Sequence, residues 1–470
     1  MRIEQLYTEC LSHAAYYMES DGEVAIFDPL RDVSSYISKA EDNSARIKYI
    51  FETHFHADFV SGHLDLKKRT GADIVFGPTA EPFYEAIIAN DGDLFQVGSC
   101  FVKIIHTPGH TMESTTYLIS DENGLEHCLI TGDTLFIDDV GRPDLVRHVN
   151  KELTQEKLAR LLFHSLRKKI MPLADNLIVY PNHGAGSACG KKMSKETSDT
   201  LGHQKESNYA LRPDMTEGEF ISEVLNGLTT PPGYFPKNVL LNIKGYNEFK
   251  SILDQGKTPI ELREFEKLKS LKQTLILDTR TAAEFAKGFI PDSMNVGLDG
   301  KFANWVGEMV PNINQEIILV TDPGMEEEAI TRLSRVGYDH TIGYLKGGFE
   351  AWKKSGRNFD SIERLSASEF EADYDQHLLI FDVRKKSEYD SEHVEHAINV
   401  PLNAIHSNMR KFPKDKHFII YCAGGYRSMI AVSILKGAGI HNFNDVQGGF
   451  SEIKNTSVPQ TTYNSPVTLL

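Results

Sequence analysis

Four short fragments of the chain carry histidines and carboxylates at spacings that suit a metal site. They are 54-HFHAD-58, 107-TPGHT-111, 131-TGDT-134 and 181-PNHGAG-186. Imidazole nitrogens and carboxylate oxygens bind first-row transition metals, and ligands that share one loop are oriented together. Phe59 follows Asp58 at the position where a two-metal hydrolase would need another histidine. A single histidine is more often a surface or core residue, so the prediction of a metal centre depends on all four fragments.

The apolar runs around these fragments have the length of β-strands. Examples are EVAIFDP, IKYIFETH, FVKIIHTPGH, HCLITGD and NLIVYPNH. Most of them end in a histidine or an aspartate, so the loops at the strand ends can converge on one site. Helical patterns such as TQEKLARLLFHSLRKKI lie between some runs, and the alternation predicts an α/β layered domain. We place its end near residue 245, after the Pro- and Gly-rich segment TTPPGYFPKNV.

The set and order of these motifs resemble the metallo-β-lactamase superfamily over residues 1–245. Within it, GDTLF, GRPDL and PPGYFPKNV are most similar to the persulfide dioxygenases. The resemblance implies an αββα sandwich with the metal between the edges of two sheets. It also implies one Fe(II) per chain, bound by His54, His110 and Asp133, with open positions for the substrate sulfur and O2. Phe59 supports a site for one ion, because phenylalanine cannot bind a metal.

The resemblance gives further residues a role near the metal. Those that would orient the ligands, hold water or bind a second ion are His56, Asp58 and His183. Direct binding of the first metal by His56 stays open. Arg142 of GRPDL matches a position near the substrate, where a cation can bind a carboxylate or a sulfur oxyanion; a structural pair with Asp144 is the alternative. Cys189 could reach the mouth of the metal site, and a buried inert thiol is the alternative.

The second half of the chain contains an internal repeat. One copy has LILDTRTAAEF, EIILVTDPGMEEEA and YLKGGF, and the second has LLIFDVRKKSEY, HFIIYCAGGYRS and DVQGGF. Strands that alternate with helices predict a mainly parallel sheet in each copy. We expect α/β domains at residues 246–358 and 359–458, followed by a loose tail at 459–470.

The second copy contains a cysteine in a loop of small residues, 421-YCAGGYRS-428. The strand FIIY delivers Cys422 to this loop, and the backbone N–H groups of Gly424, Gly425 and Tyr426 can surround an anion there. The start of a helix and the charge of Arg427 add positive potential. These features favour the thiolate, so Cys422 is predicted to be a nucleophile that can carry a persulfide.

This copy resembles the rhodanese family in DVR, the Glu–Tyr pair, HAINVP, the cysteine loop that ends in arginine, and GGF. The resemblance implies a sulfurtransferase in which Cys422 carries the sulfane sulfur and Arg427 assists, while Asp382 and Arg384 brace the loop. In the first copy the loop reads 322-DPGMEEEA-329, which suggests Asp322 at the cysteine position. Because no thiolate can form and the glutamates repel anions, we predict an inactive rhodanese-like domain.

Composition excludes several classes of protein. The net charge of −16 argues against binding to a nucleic acid backbone. Five scattered cysteines are not a disulfide framework, which favours a reducing compartment. No signal peptide or membrane-spanning run is recognisable, so we expect a cytoplasmic protein without membrane contact.

The two resemblances together imply a fused enzyme of sulfide oxidation. It would oxidise a low-molecular-weight thiol persulfide with O2 to sulfite, and convert sulfite and persulfide to thiosulfate. Self-association into a homo-oligomer is a family expectation. Two alternatives stay open: a zinc-dependent thioester hydrolase of the glyoxalase II type fused to a sulfurtransferase, and a non-catalytic sulfur sensor or scaffold. The identity of the thiol and the order of the two half-reactions are also open.

Overall fold

Residues 1–249 fold around two six-stranded β-sheets, in a computed structural model that describes residues 1–145, 153–271 and 273–463. The first sheet follows the chain order and contains β1 Arg2–Thr8, β2 His13–Ser20, β3 Glu23–Phe27, β4 Arg46–Glu52, β5 Asp73–Phe76 and β6 Ile87–Ile88. The second sheet has the spatial order β12-β11-β10-β9-β8-β7 and contains β7 Leu94–Val97, β8 Cys100–His106, β9 Thr115–Ser120, β10 Glu126–Gly132, β11 Ile178–Pro181 and β12 Asp199–Thr200.

Helices cover the outer faces of these sheets. They are α1 Ser34–Asp42, α2 His63–Thr70, α3 Gln155–Ser165, α4 Leu201–Ser207, α5 Glu217–Leu225 and α6 Phe235–Lys244, and α3 continues as a π-helical turn at Leu166–Ile170. Tyr16, Phe51 and Tyr117 belong to the apolar layer between the sheets. Leu66 of α2 belongs to a second apolar cluster with residues of the first sheet, and Leu162 of α3 to a third with residues of the second sheet. The predicted four-layer αββα sandwich is therefore confirmed.

The topology brings the predicted ligands to one edge of the sandwich. The loop with His54 follows β4, and His110 lies in the turn after β8. Strands β10 and β11 are parallel, with Gly132 paired to Pro181. The residues that follow them, Asp133 and His183, therefore leave the second sheet side by side.

Each repeat of the second half forms a five-stranded parallel sheet. The first has the order β13-β17-β16-β14-β15 and contains β13 Pro259–Ile260, β14 Thr274–Asp278, β15 Met294–Asn295, β16 Glu316–Val320 and β17 Thr341–Leu345. The helices around it are α7 Phe249–Gly256, α8 Leu262–Ser270, α9 Ala282–Lys287, α10 Phe302–Met309, α11 Glu326–Arg335 and α12 Gly348–Lys354.

The second repeat has the same strand order, β18-β22-β21-β19-β20. Its strands are β18 Arg364–Leu365, β19 Ile380–Asp382, β20 Ile398–Asn399, β21 Phe418–Tyr421 and β22 Phe443–Val446. Its helices are α13 Ala367–Asp373, α14 Lys386–Ser391, α15 Tyr426–Gly437 and α16 Gly449–Ile453, with 3-10 turns at Leu402–Ala404 and His406–Lys411. The predicted repeat and its parallel sheets are confirmed.

The sheet register corrects one equivalence between the repeats. In the second repeat the aspartate of the Asp-x-Arg motif pairs with Tyr421, the residue before Cys422. In the first repeat the equivalent aspartate pairs with Val320, the residue before Thr321. Thr321 therefore occupies the position of the cysteine, and the prediction of Asp322 at that position is wrong by one residue. The first repeat still offers no thiol in this loop, so the argument for an inactive domain is unchanged.

Helix length bears on the expectation of no membrane contact. Within the described residues, no helix is long and apolar enough to cross a bilayer.

Candidate metal centre and cysteine loop

Three of the predicted ligands meet in one buried cluster. One ligating atom each from His54, His110 and Asp133 lies within 4.8 Å of the others. Nε2 of His110 is 3.4 Å from Oδ2 of Asp133, and Nε2 of His54 is 3.9 Å from the same oxygen. All three side chains are buried. These separations leave room for one ion between two imidazoles and a carboxylate.

Hydrogen bonds at the far side of each ring orient the two histidines. Nδ1 of His54 lies 2.9 Å from Oγ1 of Thr53, and Nδ1 of His110 lies 2.9 Å from the backbone oxygen of Arg142. If each Nδ1 carries the proton and donates it, each Nε2 lone pair is directed into the cluster. Burial and the neighbouring histidines hold the pKa of His54 well below its ordinary value. Burial also lowers the pKa of His110. Both rings are therefore neutral, as metal ligands must be.

The carboxylate of Asp133 supports the same conclusion. Neither of its oxygens has a hydrogen-bond partner among the residues that the structure describes, although the side chain is buried. An unpaired buried carboxylate is costly unless a cation or a donor compensates it. The donor set of two imidazole nitrogens and one carboxylate oxygen fits Fe(II) or Zn(II).

His183 and Asp58 lie on the other side of Asp133. Nε2 of His183 is 3.5 Å from Oδ1 of Asp133 and 3.5 Å from Oδ2 of Asp58. Its Nδ1 lies 3.1 Å from the backbone oxygen of Ser12. Asp133 therefore presents one oxygen to the first cluster and the other to His183, which is the geometry of a bridging carboxylate.

His56 faces a pair of acidic residues at its Nε2 atom. This atom lies 2.9 Å from Oδ1 of Asp28 and 3.3 Å from Oε2 of Glu52. Burial opposes protonation, but the two carboxylates raise the pKa of His56 well above its ordinary value. Nδ1 of His56 is buried and lacks a hydrogen-bond partner in the described part of the chain, so direct metal binding through Nδ1 stays an alternative. The fully buried Phe59 stacks on the His56 ring at a centroid distance of 4.3 Å.

Arg142 is saturated by protein groups. Its side chain is 2% exposed, and its guanidinium forms two hydrogen bonds with Asp144, at 2.6 and 2.8 Å. It also donates to the backbone oxygens of Ala188 and Thr229. This arrangement favours the structural alternative for Arg142, and its contact with a substrate stays a prediction.

One of the three predicted backbone N–H groups is directed at the sulfur in the cysteine loop of the second repeat. Sγ of Cys422 accepts a hydrogen bond from the backbone N–H of Gly425 at 3.1 Å. Gly425 has a φ of 96°, in the left-handed region that favours glycine, and α15 begins at the next residue. The sulfur therefore lies at a helix N-terminus with an N–H group directed at it, an arrangement that stabilises an anion.

The arginine at the end of the loop has a partner that the sequence reasoning missed. The guanidinium of Arg427 forms two hydrogen bonds with the carboxylate of Glu388, at 2.6 and 2.7 Å. Asp382 and Arg384 form hydrogen bonds of 2.6 to 3.0 Å between their side chains, and their support of the cysteine loop stays a prediction. The helical stretch after DVR was the available signal for Glu388, because it lies four residues beyond Arg384.

A cavity of about 640 Å³ lies beside the loop, lined by Gly424, Gly425 and Tyr426 together with residues of the first repeat that include Asp299. The hydroxyl of Tyr426 donates to the backbone oxygen of Gly297 in the first repeat at 2.6 Å. The predicted substrate-binding residues thus border a cavity, and the first repeat forms part of its wall.

The sequence reasoning also missed the acidic pair next to His56. Asp28 accepts hydrogen bonds from the backbone N–H of Thr53 and from the side chain of Asn182, and thereby connects three loops of the centre. The sequence signal for Asp28 was its position near the end of the run EVAIFDP, because other runs of the domain end in predicted ligands. The sequence alone does not show that Asp28 lies next to the histidine loop, because this contact depends on how the strands pair.

Family models match most of the described chain. The metallo-beta-lactamase superfamily matches residues 8–172, and the rhodanese-like domain matches residues 261–355 and 366–456. The cytoplasmic hydroxyacylglutathione hydrolase of Arabidopsis thaliana is 30% identical over 141 residues, 29% of this chain and 54% of that protein. The chain thus spans about half the length of this relative. A probable metallo-hydrolase of Burkholderia pseudomallei is 23% identical over 262 residues, 47% of this chain and 84% of that protein.

A solved structure extends the similarity beyond the first domain. The crystal structure of a metallo-beta-lactamase from Staphylococcus aureus is 30% identical, with a TM-score of 0.64. The match covers 74% of this chain and 99% of that one. The chain therefore belongs to the metallo-β-lactamase superfamily, and its metallo-β-lactamase domain is followed by two rhodanese-like domains.

Proposed function

We propose that the first domain is an Fe(II)-dependent persulfide dioxygenase and the last domain a sulfurtransferase. The observation that carries the proposal is the pairing of two sites in one chain. One is the buried cluster of His54, His110 and Asp133, and the other is Cys422 at the start of α15. A sulfane-sulfur carrier attached to a metal enzyme is useful when both act on the same sulfur compound, because tethering raises the local concentration of the intermediate.

The first reaction converts a thiol persulfide, O2 and water to the thiol and sulfite: RSSH + O2 + H2O → RSH + SO3²⁻ + 2H⁺. The S–S bond breaks, the terminal sulfur loses electrons to O2, and the thiol sulfur is reduced. Bound Fe(II) would supply the redox chemistry that this reaction with O2 requires. The chain supplies neutral imidazoles at His54 and His110, an anionic ligand at Asp133, and burial that limits the access of water.

The second reaction uses the loop around Cys422. Its thiolate takes the sulfane sulfur of a persulfide to give Cys–S–S⁻, and releases the thiol. Sulfite then attacks the outer sulfur: Cys–S–S⁻ + SO3²⁻ + H⁺ → Cys–SH + S2O3²⁻. The N–H of Gly425 and the N-terminus of α15 stabilise the anionic sulfur. The thiol persulfide, O2 and sulfite are thus the proposed small-molecule partners.

A second candidate function is thioester hydrolysis by a zinc form of the first domain. It is favoured by the similarity to hydroxyacylglutathione hydrolase and by the position of Asp133 between His110 on one side and His183 on the other. Against it stands Phe59, which follows Asp58 where the resemblance to two-metal hydrolases implies a histidine ligand, and whose ring stacks on His56 without offering a donor atom. The two candidates require different metals and different co-substrates, so they can be separated directly.

The test is a comparison of iron-loaded and zinc-loaded protein on two substrates, glutathione persulfide and a glutathione thioester. The dioxygenase proposal predicts sulfite or thiosulfate from the persulfide with the iron form alone, and no thioester cleavage. Rapid thioester cleavage by the zinc form, without sulfite from the iron form, would replace the proposal with the hydrolase.

A further inference from the structure

The cavity beside the cysteine loop has one cationic side chain among the described residues that line it, Arg364. Arg364 lies on β18 opposite Asp445 of β22, and its Nε donates to Oδ2 of Asp445 at 2.9 Å. Asp445 is fully buried, and burial raises its pKa to about 6, so its carboxylate is still charged at neutral pH. The buried carboxylate therefore fixes the guanidinium through its Nε edge.

The terminal nitrogens of Arg364 lie next to the cysteine loop. A β-carbon on Gly425 would lie 3.1 Å from Nη2 of Arg364. Gly425 is the residue whose backbone N–H donates to Sγ of Cys422. Neither Nη1 nor Nη2 of Arg364 has an acceptor among the described residues, so both can bind an anion that enters the cavity.

The arginine at the end of the loop cannot take this role as it stands. Both terminal nitrogens of Arg427 donate to the carboxylate of Glu388. Arg364 is therefore the cation that offers unused N–H groups to a ligand near Cys422, and a guanidinium binds carboxylates strongly through such groups.

Two carboxylates supply the opposite charge around the same cavity. Asp299 belongs to the first repeat, in the segment that follows β15, and Glu452 belongs to α16 of the second repeat. Both side chains are exposed. A cavity with this combination of charges suits a ligand that carries both an anionic and a cationic group, and it disfavours a ligand with several phosphates.

The contacts of Tyr426 show that one small molecule can reach both kinds of charge. A β-carbon on Gly300 would lie 2.5 Å from Cε2 of Tyr426, so this glycine lets the ring pack directly beside Asp299. Tyr426 follows Gly425, which borders Arg364. The anionic and the cationic side chain thus flank two consecutive residues of the cysteine loop.

We propose that this cavity binds an amino-acid-type thiol, with its carboxylate on Arg364 and its ammonium group on Asp299. The inference rests on the proposed sulfurtransferase function and names the class of thiol that delivers the sulfur. In the transfer R–SSH + Cys–S⁻ → R–SH + Cys–S–S⁻, the S–S bond of the donor breaks and the proton stays with the released thiol. The first repeat, which has no thiol in its own loop, contributes the ammonium-binding side chain.

The experiment compares three donors with the full-length protein and sulfite, without O2 so that the first domain does not consume the persulfide. Cysteine persulfide carries both charges, N-acetylcysteine persulfide lacks the ammonium group, and cysteamine persulfide lacks the carboxylate. The rate of thiosulfate formation at varied donor concentration gives kcat/KM for each, and cysteine persulfide should have the highest value.

Two variants should each affect a different pair of donors. Arg364→Gln should lower kcat/KM by at least ~10-fold for the two donors with a carboxylate and leave cysteamine persulfide unchanged. Asp299→Asn should lower it by ~2- to 5-fold for the two donors with an ammonium group, because this carboxylate is exposed, and leave N-acetylcysteine persulfide unchanged. Arg410→Gln, at an exposed arginine of the same domain away from the cavity, should change none of the three.

The pattern across donors separates binding from folding. Arg364→Gln also leaves Asp445 without its partner, so a loss that is equal for all three donors in this variant would overturn the role of Arg364. Asp299→Asn leaves that ion pair intact, and equal kcat/KM values for wild type and Asp299→Asn with every donor would overturn the role of Asp299.

A binding measurement distinguishes failure of this inference from failure of the proposed sulfurtransferase. Calorimetry of Cys422→Ser with cysteine, N-acetylcysteine and cysteamine should show the same order of affinity without any sulfur transfer. Absence of thiosulfate from the wild type with every donor would contradict the sulfurtransferase, whereas equal affinities for the three thiols would overturn the proposed subsite.

Discussion

Oδ2 of Asp133 lies 3.4 Å from Nε2 of His110, and neither oxygen of that carboxylate has a hydrogen-bond partner among the described residues. A buried charge of this kind is stable only next to a cation. The strand order places Asp133 beside His183 in the interior of the first domain. Because this position leaves its carboxylate buried and without a hydrogen-bond partner among the described residues, the fold itself favours a bound ion.

Removal of the charge of Asp133 should strongly weaken metal binding. Asp133→Asn keeps the size of the side chain and loses the anionic oxygen, and we expect affinity for iron to fall by at least ~100-fold. Iron content and competition with a chelator measure this. Asp121→Asn, which changes an aspartate paired with His127 at the surface, is the matched control. Full iron content in Asp133→Asn would contradict the assignment.

Gly141 in the GRPDL loop should be intolerant of a side chain. A β-carbon at this position would lie 2.0 Å from the backbone oxygen of Asp133 and 2.9 Å from Nδ1 of His110. Gly141→Ala must displace both, so we expect iron affinity to fall ~10- to 100-fold. Gly218→Ala adds the same methyl group where no atom lies within 4 Å, and should bind iron normally. Equal affinities of the two variants would refute this reasoning.

Cys422→Ser should separate the two reactions. The variant removes the sulfur carrier and leaves the first cluster intact, so oxygen uptake continues while sulfite accumulates and thiosulfate formation is lost. Analysis of both anions after reaction with glutathione persulfide measures the change. Thiosulfate at the wild-type rate would show that Cys422 is not the carrier.

The ion pair of Arg427 with Glu388 should make the stability of the last domain depend on pH. Burial raises the pKa of Glu388, but the hydrogen bonds and charge of Arg427 outweigh burial and lower it. A lowered pKa in the folded state stabilises the fold above the ordinary pKa of glutamate, and this contribution is lost as the pH falls through the folded value. Glu388→Gln should therefore cost about 1 kcal/mol at pH 7, after allowance for partial exposure, and less at pH 4.

Chemical denaturation of the wild type and of Glu388→Gln, at pH 7 and at pH 4, measures this difference in the free energy of unfolding. Glu395→Gln removes an exposed carboxylate from the same domain and serves as the control. A Glu388→Gln effect that is equal at pH 7 and pH 4 would argue against a charged pair.

The first repeat should stay inactive even with a cysteine at the corrected position. Thr321→Cys places a thiol where the second repeat has Cys422, but Glu326 begins α11 two residues after Gly324 and contributes a negative charge. In a Cys422→Ser background we expect no thiosulfate formation above the single variant. The double variant Thr321→Cys, Glu326→Arg tests whether replacing this negative charge allows thiosulfate formation. Thiosulfate formation by Thr321→Cys alone would show that the charge of the acidic turn does not prevent the reaction.

The sequence predicted the elements and most of the centre because its signals are local. Each short run that ends in His110, Asp133 or His183 predicts a strand and also contains the functional residue that follows it. The repeat of Asp-x-Arg and Gly-Gly-Phe motifs predicted two further parallel sheets in the same way. These local patterns predict a layered α/β domain with polar residues at its strand ends, whereas the αββα order and the ligand set of His54, His110 and Asp133 are implied by the resemblance to the metallo-β-lactamase superfamily.

Pairings between distant segments could not be predicted. The equivalence of Thr321 with Cys422 depends on sheet register, which a one-residue ambiguity in the loop conceals. The approach of Cys189 to Asp58 joins loops that follow different sheets. The saturation of Arg142 by Asp144 was one of two alternatives that composition and spacing do not separate.

The most direct test of the central claim is oxygen uptake by anaerobically prepared Cys422→Ser protein that contains a measured amount of iron and receives glutathione persulfide. The proposal predicts uptake proportional to iron, with one O2 consumed for each sulfite formed, and no uptake by the zinc form. Absence of uptake at full iron occupancy, with intact persulfide at the end, would contradict the dioxygenase assignment.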